Sequence, residues 1–133
     1  MTIVLRTFIC LLLMVTICDT IEASINNFGI ASWYDSESAC AFNPNPKCPT
    51  ASGRSLYELE RNGERFAAMW GVPFGTNLRV TNLANGKSTR VTVQDRGPAR
   101  RLNRTIDLSK KAFSDIAEID QGLIPVSVEA LRD

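Results

Sequence analysis

Two runs that alternate with a period of two, Leu78–Leu83 (LRVTNL) and Ser88–Gln94 (STRVTVQ), stand either side of Ala84-Asn85-Gly86-Lys87. Alternation sends successive side chains to opposite faces of a strand. An Asn-Gly pair between two such runs is the strongest short-range hairpin signal, because both residues tolerate positive φ. The pattern predicts an antiparallel hairpin with Val80, Val91 and Val93 toward a core and Arg79, Arg90 and Thr92 outward. A chain of 133 residues with this hairpin at its centre has room for one domain, two at most.

The flanking segments read mostly as further short strands. Phe28–Tyr34 is short, apolar and aromatic. Residues 35–56 form a long Ser-, Pro-, Asn- and Gly-rich loop. Tyr57–Arg65 is charged and fits either a helical turn or a loop, Arg65–Met69 fits a strand, and Gly71–Gly75 is a turn. Thr105–Leu108 is a short strand, followed by a helix from a Ser109 cap through Ala117. Leu108 before the cap and Phe113 four residues after it make a hydrophobic staple, and Ala112, Phe113 and Ile116 supply the apolar stripe. Gly122 breaks the chain, and Ile124–Leu131 gives a last strand. Five or six strands and one helix predict a small β-barrel with the helix across it.

Residues 1–23 carry one basic side chain, Arg6, then an apolar run from Phe8 to Cys18 that is too short to span a bilayer as a helix. This predicts a secretory signal cleaved after Ala23, an uncleaved anchor being the alternative, with residues 24–133 as the domain. Ile17 before Cys18 argues against lipidation. Export to the cell envelope would leave Cys40 and Cys48 as an even pair in an oxidising compartment, predicting a disulfide across the Pro-rich loop between them. Lys+Arg number 15 against 14 Asp+Glu, which gives a nucleic-acid binder little basic excess to work with. There is no His, so Ser-His triads and the usual zinc sites are excluded. Chemistry here must run on carboxylates, hydroxyls, Tyr, Lys or Cys, with no metal or other cofactor expected.

Four stretches in order, GIASWY (29–34), TASG (50–53), PFGTNLRVTNLANGKSTRVTVQDRGP (73–98) and RTIDLSKKAF (104–113), resemble the rare lipoprotein A family of double-psi β-barrels. The resemblance covers almost all of residues 28–131. It implies a mainly β fold, a six-stranded double-psi β-barrel with one short helix packed on it. It also implies a lytic transglycosylase that cleaves peptidoglycan between N-acetylmuramic acid and N-acetylglucosamine, without water, leaving 1,6-anhydro ends. The family is similar to expansins, which share the barrel and loosen polysaccharide without hydrolysing it. A peptidoglycan- or polysaccharide-binding barrel without catalysis is therefore the second reading, and a secreted inhibitor or signalling module the third. The expected partner is a glycan strand; no nucleic acid, no membrane after signal cleavage and a monomer are expected.

Asp95 stands at the family's central Asp. Independently, a carboxylate at a strand end beside Arg96-Gly97-Pro98 is fixed in direction near the barrel mouth. Glycosidic cleavage needs a proton on the leaving oxygen, and where the sugar's own 6-hydroxyl attacks, one acid/base group can serve both steps. The alternative is that Asp95 only accepts turn amides. Arg96, adjacent in the strand, should point away from that carboxylate and bind elsewhere, which makes it a candidate for holding the substrate.

Two positions depart from the family pattern: Arg54 stands where an acid commonly follows the T-x-x-G loop, and Met69 where a His is common. Glu58, Glu60 or Glu64 could replace the acid, or form a solvated face with Arg61 and Arg65. Arg54 could bind a glycan hydroxyl or carboxylate. Tyr34 is a candidate groove aromatic, Trp33 a core residue, and Trp70 either. Ser32 and Thr50 could bond sugar hydroxyls. Asp107 is either a second groove carboxylate or the cap of the following helix.

Overall fold

The structure, a computed structural model, describes residues 27–132. The proposed signal, its cleavage point and the domain start at residue 24 lie outside the described residues. Six strands, β1 (Asn27–Tyr34), β2 (Phe66–Ala68), β3 (Asn77–Asn82), β4 (Ser88–Asp95), β5 (Ile106–Ser109) and β6 (Ile124–Ala130), close into a barrel in the order β1-β5-β2-β4-β3-β6. The β1–β5 and β2–β4 pairs are parallel and the rest antiparallel. The barrel expected from the sequence is the barrel observed.

Its interior is filled by the alternating apolar positions. Val80, Val91 and Val93 are buried with Ala31, Ala67 and Leu108. Helix α3 (Lys110–Ile116) lays Ala112, Phe113 and Ile116 against that cluster. Ser109 caps it, accepting a hydrogen bond from the Ala112 amide at 3.3 Å. The helix stops at Ile116, one residue earlier than expected, because Ala117 is fully extended.

The hairpin forms by a different route from the one its Asn-Gly pair suggests. Only Gly86 takes positive φ, at 75°. Asn85 instead donates its side-chain amide to the Ile116 carbonyl at 2.9 Å, and Asn82 donates to the same oxygen at 2.8 Å. A helix end leaves carbonyls without intrahelical partners; the turn of the hairpin supplies them.

The segment 35–56 holds more structure than its composition suggests. Asp35 accepts from the Ser38 amide at 3.0 Å and starts a short helix, α1 (Ser36–Ala39). Ser55 caps α2 (Leu56–Arg61), so part of the ambiguous charged stretch is helical. The Cys40–Cys48 disulfide is present. Cys40, Cys48, Leu56, Leu59 and Phe66 form a second apolar cluster, with Tyr34 packed against it.

Because the disulfide closes a short loop inside that cluster, the double Cys40→Ser, Cys48→Ser variant is expected to lose about 2 kcal/mol of stability. For a domain of this size that lowers the melting temperature by roughly 10 °C. Thermal melts of the oxidised protein and the variant read this directly; equal midpoints would place the loop's order in the apolar cluster alone.

Candidate functional site

Asp107 pairs across the sheet with both Ser32 of β1 and Ala68 of β2, and Ala68 pairs in turn with Asp95 of β4. Four strands thus bring Ser32, Asp107, Ala68 and Asp95 to one level. Their neighbours Ala31, Ala67 and Leu108 point into the core, so Ser32, Tyr34, Phe66, Ala68 and Asp107 lie on the outer face of the wall. Strict alternation after Val91 and Val93 would turn Asp95 inward. The register between β2 and β4 shifts at this point, with Ala67 opposite Val93 but Ala68 opposite Asp95. The bulge adds one residue and returns Asp95 to the outer face.

The Asp95 carboxylate is half-buried and held from three sides. Oδ1 accepts from the Ala51 and Arg96 amides, both at 2.9 Å, and Oδ2 accepts from the Tyr34 hydroxyl at 3.1 Å. The Ala51 contact comes from the T-A-S-G loop, which docks on the end of β4 through Ser52 N to Gln94 O at 3.1 Å. Gly97, at φ 149°, lets the chain turn away immediately after the carboxylate.

Tyr34 is the centre of this arrangement. Its ring meets Phe66 edge-on at 5.8 Å between centroids. Burial above all, then the charge of Asp95 and the hydrogen bond to it, holds the phenol far above its ordinary value, and Asp107 and Glu60 push the same way. Tyr34 is therefore a neutral donor at any working pH, with three acids grouped around it.

Asp107 does not cap the helix; Ser109 does. The Ser32 hydroxyl donates to Asp107 Oδ1, and Arg104 lies 3.6 Å from the same oxygen. Ser32 thus holds an acid rather than standing free for a sugar. Thr50 is likewise buried, with its hydroxyl donating to Arg54 O at 2.9 Å and lying 3.0 Å from Ser52 Oγ. Arg96 does point away from the Asp95 carboxylate: its guanidinium stacks on Phe74 at 3.9 Å and donates to Met69 O at 3.0 Å.

Arg54 grips Glu64 with two hydrogen bonds of 2.8 and 2.7 Å, and that contact first of all holds the Glu64 carboxyl below its usual range. Of the three candidate replacement acids, Glu64 is committed to Arg54. Glu58 is exposed on α2, and Glu60 accepts from the Ser36 amide at 2.7 Å and from the Ser36 hydroxyl. Met69 is buried. Trp33 packs on the core and donates to Ile119 O at 3.1 Å. Trp70 is exposed, tied to Pro98 O at 2.7 Å, with Arg100 over its ring at 4.6 Å.

A cleft of about 480 Å³ opens beside this row and not over Asp95. Ser109 lies on its edge and pairs with Tyr34 in the β1–β5 register. The sequence offered no signal for this cleft, nor for the Ala51 amide or Phe66, whose contacts with Asp95 and Tyr34 come from residues far along the chain.

Residues 26–128 match the family described as lytic transglycolase, a double-psi β-barrel family. The endolytic peptidoglycan transglycosylase RlpA of Campylobacter jejuni is 38% identical over 109 residues, covering 77% of this chain and 33% of that protein. The protein of the same name from Neisseria meningitidis is 34% identical over 115 residues, covering 82% and 41%. The chain therefore spans well under half the length of these curated relatives. Among solved structures, a mutant Clavibacter michiganensis expansin in complex with cellohexaose shares the fold at a TM-score of 0.59 and 22% identity, covering 82% of this chain and 52% of that one.

Proposed function

The chain belongs to the rare lipoprotein A-like, lytic transglycolase family of double-psi β-barrels, and from that premise we propose that it is an exported, cell-envelope lytic transglycosylase acting on peptidoglycan glycan strands, with Asp95 as its general acid/base. The observation that carries the reading is the triply anchored Asp95 carboxylate on the outer wall, level with Asp107.

The reaction needs one proton moved twice. Asp95 gives its proton to the glycosidic oxygen as the bond from C1 of N-acetylmuramic acid breaks. The resulting carboxylate takes the proton of the 6-hydroxyl as that oxygen closes onto C1. The leaving chain keeps a free hydroxyl, the other end becomes a 1,6-anhydro sugar, and Asp95 is protonated again with no water consumed. Asp107, two strand spacings or about 10 Å away across the sheet, supplies a second acidic wall. Tyr34 positions Oδ2 and stays protonated throughout. The exposed Trp70 offers a pyranose ring the face that Arg100 leaves open. Arg54, Arg96, Ser32 and Thr50 act through the groups they hold.

Full-length protein incubated with purified sacculi is expected to release muropeptides lighter by one water than hydrolytic products, detected by mass spectrometry. Hydrated reducing ends would replace this mechanism with hydrolysis.

A second reading, an expansin-like barrel that binds the glycan without cutting it, is favoured by one pair of observations. Met69 is buried where the family commonly has a His, and Arg54, in the place of an acid, is occupied by Glu64. Retention on sacculi with no soluble product is its signature. The expected export rests on residues 1–23; among the described residues no helix is long and apolar enough to cross a membrane.

A further inference from the structure

The outer wall carries on past the carboxylate row. Trp70 lies two residues beyond Ala68, at most about 7 Å of extended chain, and its ring is held in place. The indole Nε1 donates to Pro98 O at 2.7 Å, and the Arg100 guanidinium covers one face at 4.6 Å from the ring centre. The other face is open, and the residue is 41% exposed. The Met69 amide donates to Asp95 O at 3.2 Å, and Pro98 and Arg100 follow Asp95 in the chain. Ring and carboxylate are therefore built on the same two segments. We propose that Trp70 is a distal sugar subsite: it takes the apolar face of a pyranose outside the bond under attack, so that the protein distinguishes extended glycan strands from short fragments of the same polymer. This rests on the glycan reading above and adds a chain-length requirement to it.

Phe28, Phe42 and Phe74 are exposed too, but a phenyl ring has no polar edge for the chain to hold, and Arg96 already lies over Phe74 at 3.9 Å. Trp33, the second indole, packs on the core. A ring that is ordered before its ligand arrives loses little rotamer freedom on binding, so more of the stacking free energy appears as affinity. The bond to Pro98 and the Arg100 guanidinium do that ordering here. Position supplies the length requirement. Asp95 is one strand spacing across from Ala68, and Trp70 is further along the chain that leaves β2. The indole is offset from the carboxylate in both directions, and a neighbouring sugar of the same strand reaches it. Binding energy gathered there, away from the reacting atoms, holds the strand in register with Asp95.

The probe is chitohexaose, with chitobiose as its short counterpart, titrated into the isotopically labelled full chain and followed at the two indole N–H signals. Trp33, whose Nε1 donates to Ile119 O at 3.1 Å, serves as the internal reference. The Trp70 signal is expected to move saturably with the hexamer while that of Trp33 stays. The hexamer is expected to bind about tenfold more tightly than the dimer. Trp70→Ala is expected to erase that preference by weakening the hexamer, and Trp70→Phe, which keeps a ring, to retain most of it. Equal affinity for the two lengths in the parent protein overturns the proposal without any variant, as does a motionless Trp70 signal. So does a Trp70→Ala protein that loses both lengths alike, since the ring is then a support and not a subsite. Because the titration involves no cleavage, a protein that cuts sacculi while its Trp70 ignores the hexamer loses the platform alone. One whose Trp70 answers the hexamer but that neither cuts nor retains sacculi keeps the platform and overturns the peptidoglycan reading.

Discussion

Asp95→Asn is expected to lower the release of anhydro-muropeptides by about 10²–10⁴-fold, the usual contribution of a general acid/base, with the melting temperature nearly unchanged. The choice of Asn follows from the contacts. Oδ1 accepts from the Ala51 and Arg96 amides, and an asparagine carbonyl oxygen does the same. Only Oδ2 changes, becoming an amide that faces the Tyr34 hydroxyl. Tyr34 can accept as well as donate, so that contact survives with its direction reversed. What is lost is the exchangeable proton. Asp95→Ala is the uninformative variant, because it strands two amides and a phenol at a cost of about 1–3 kcal/mol each. Release at the parental rate by a folded Asp95→Asn protein would move the chemistry elsewhere, with Asp107→Asn the next variant to measure.

Phe66→Ala is expected to cost about 3–5 kcal/mol, the range for truncating a buried aromatic, and so a large share of the 5–15 kcal/mol that holds a domain together. Phe66 is 1% exposed at the start of β2. It joins two parts of the molecule: it packs with Cys40, Cys48, Leu56 and Leu59, and its edge contact fixes the ring of Tyr34. Truncation removes the floor under the disulfide-closed segment and frees the ring that orients Asp95. Urea denaturation gives the stability loss, and sacculus digestion is expected to fall alongside it. A loss under about 1 kcal/mol would mean that the segment collapses onto the void.

Both variants depend on contacts of very different legibility. The hairpin was plain from alternation alone, since Val80, Val91 and Val93 carry the period of two on adjacent runs. The same rule misleads at its last step. A bulge is a property of two paired strands, and the partner here, Ala67-Ala68, lies more than twenty residues earlier, so nothing local says that Asp95 turns outward. Asn85 was recognised as a turn residue, but its bond to Ile116 needs the helix to be in place. Asp107 could be read as a cap or as a groove acid because its sequence neighbours allow both. Only the folded chain rules out the cap: Ser109 takes that place, and Ser32 from β1 and Arg104 hold Asp107 instead. The disulfide was legible because two cysteines eight residues apart across a Pro-rich loop, behind an expected export signal, have few alternatives. The grouping of Asp95, Asp107 and Glu60 about Tyr34 was not, since it joins β1, β4, β5 and α2.

The wiring of β1 has one more effect. Its two neighbours are the last strands to be made: Ala31 sits between Ile106 on one side and Ile124 on the other. No amino-terminal fragment can zip shut ahead of synthesis, and such long-range pairing is slow to form. A copy cut short before Ile124 leaves β1 and β3 each with a bare edge, the kind of surface on which unrelated chains stick.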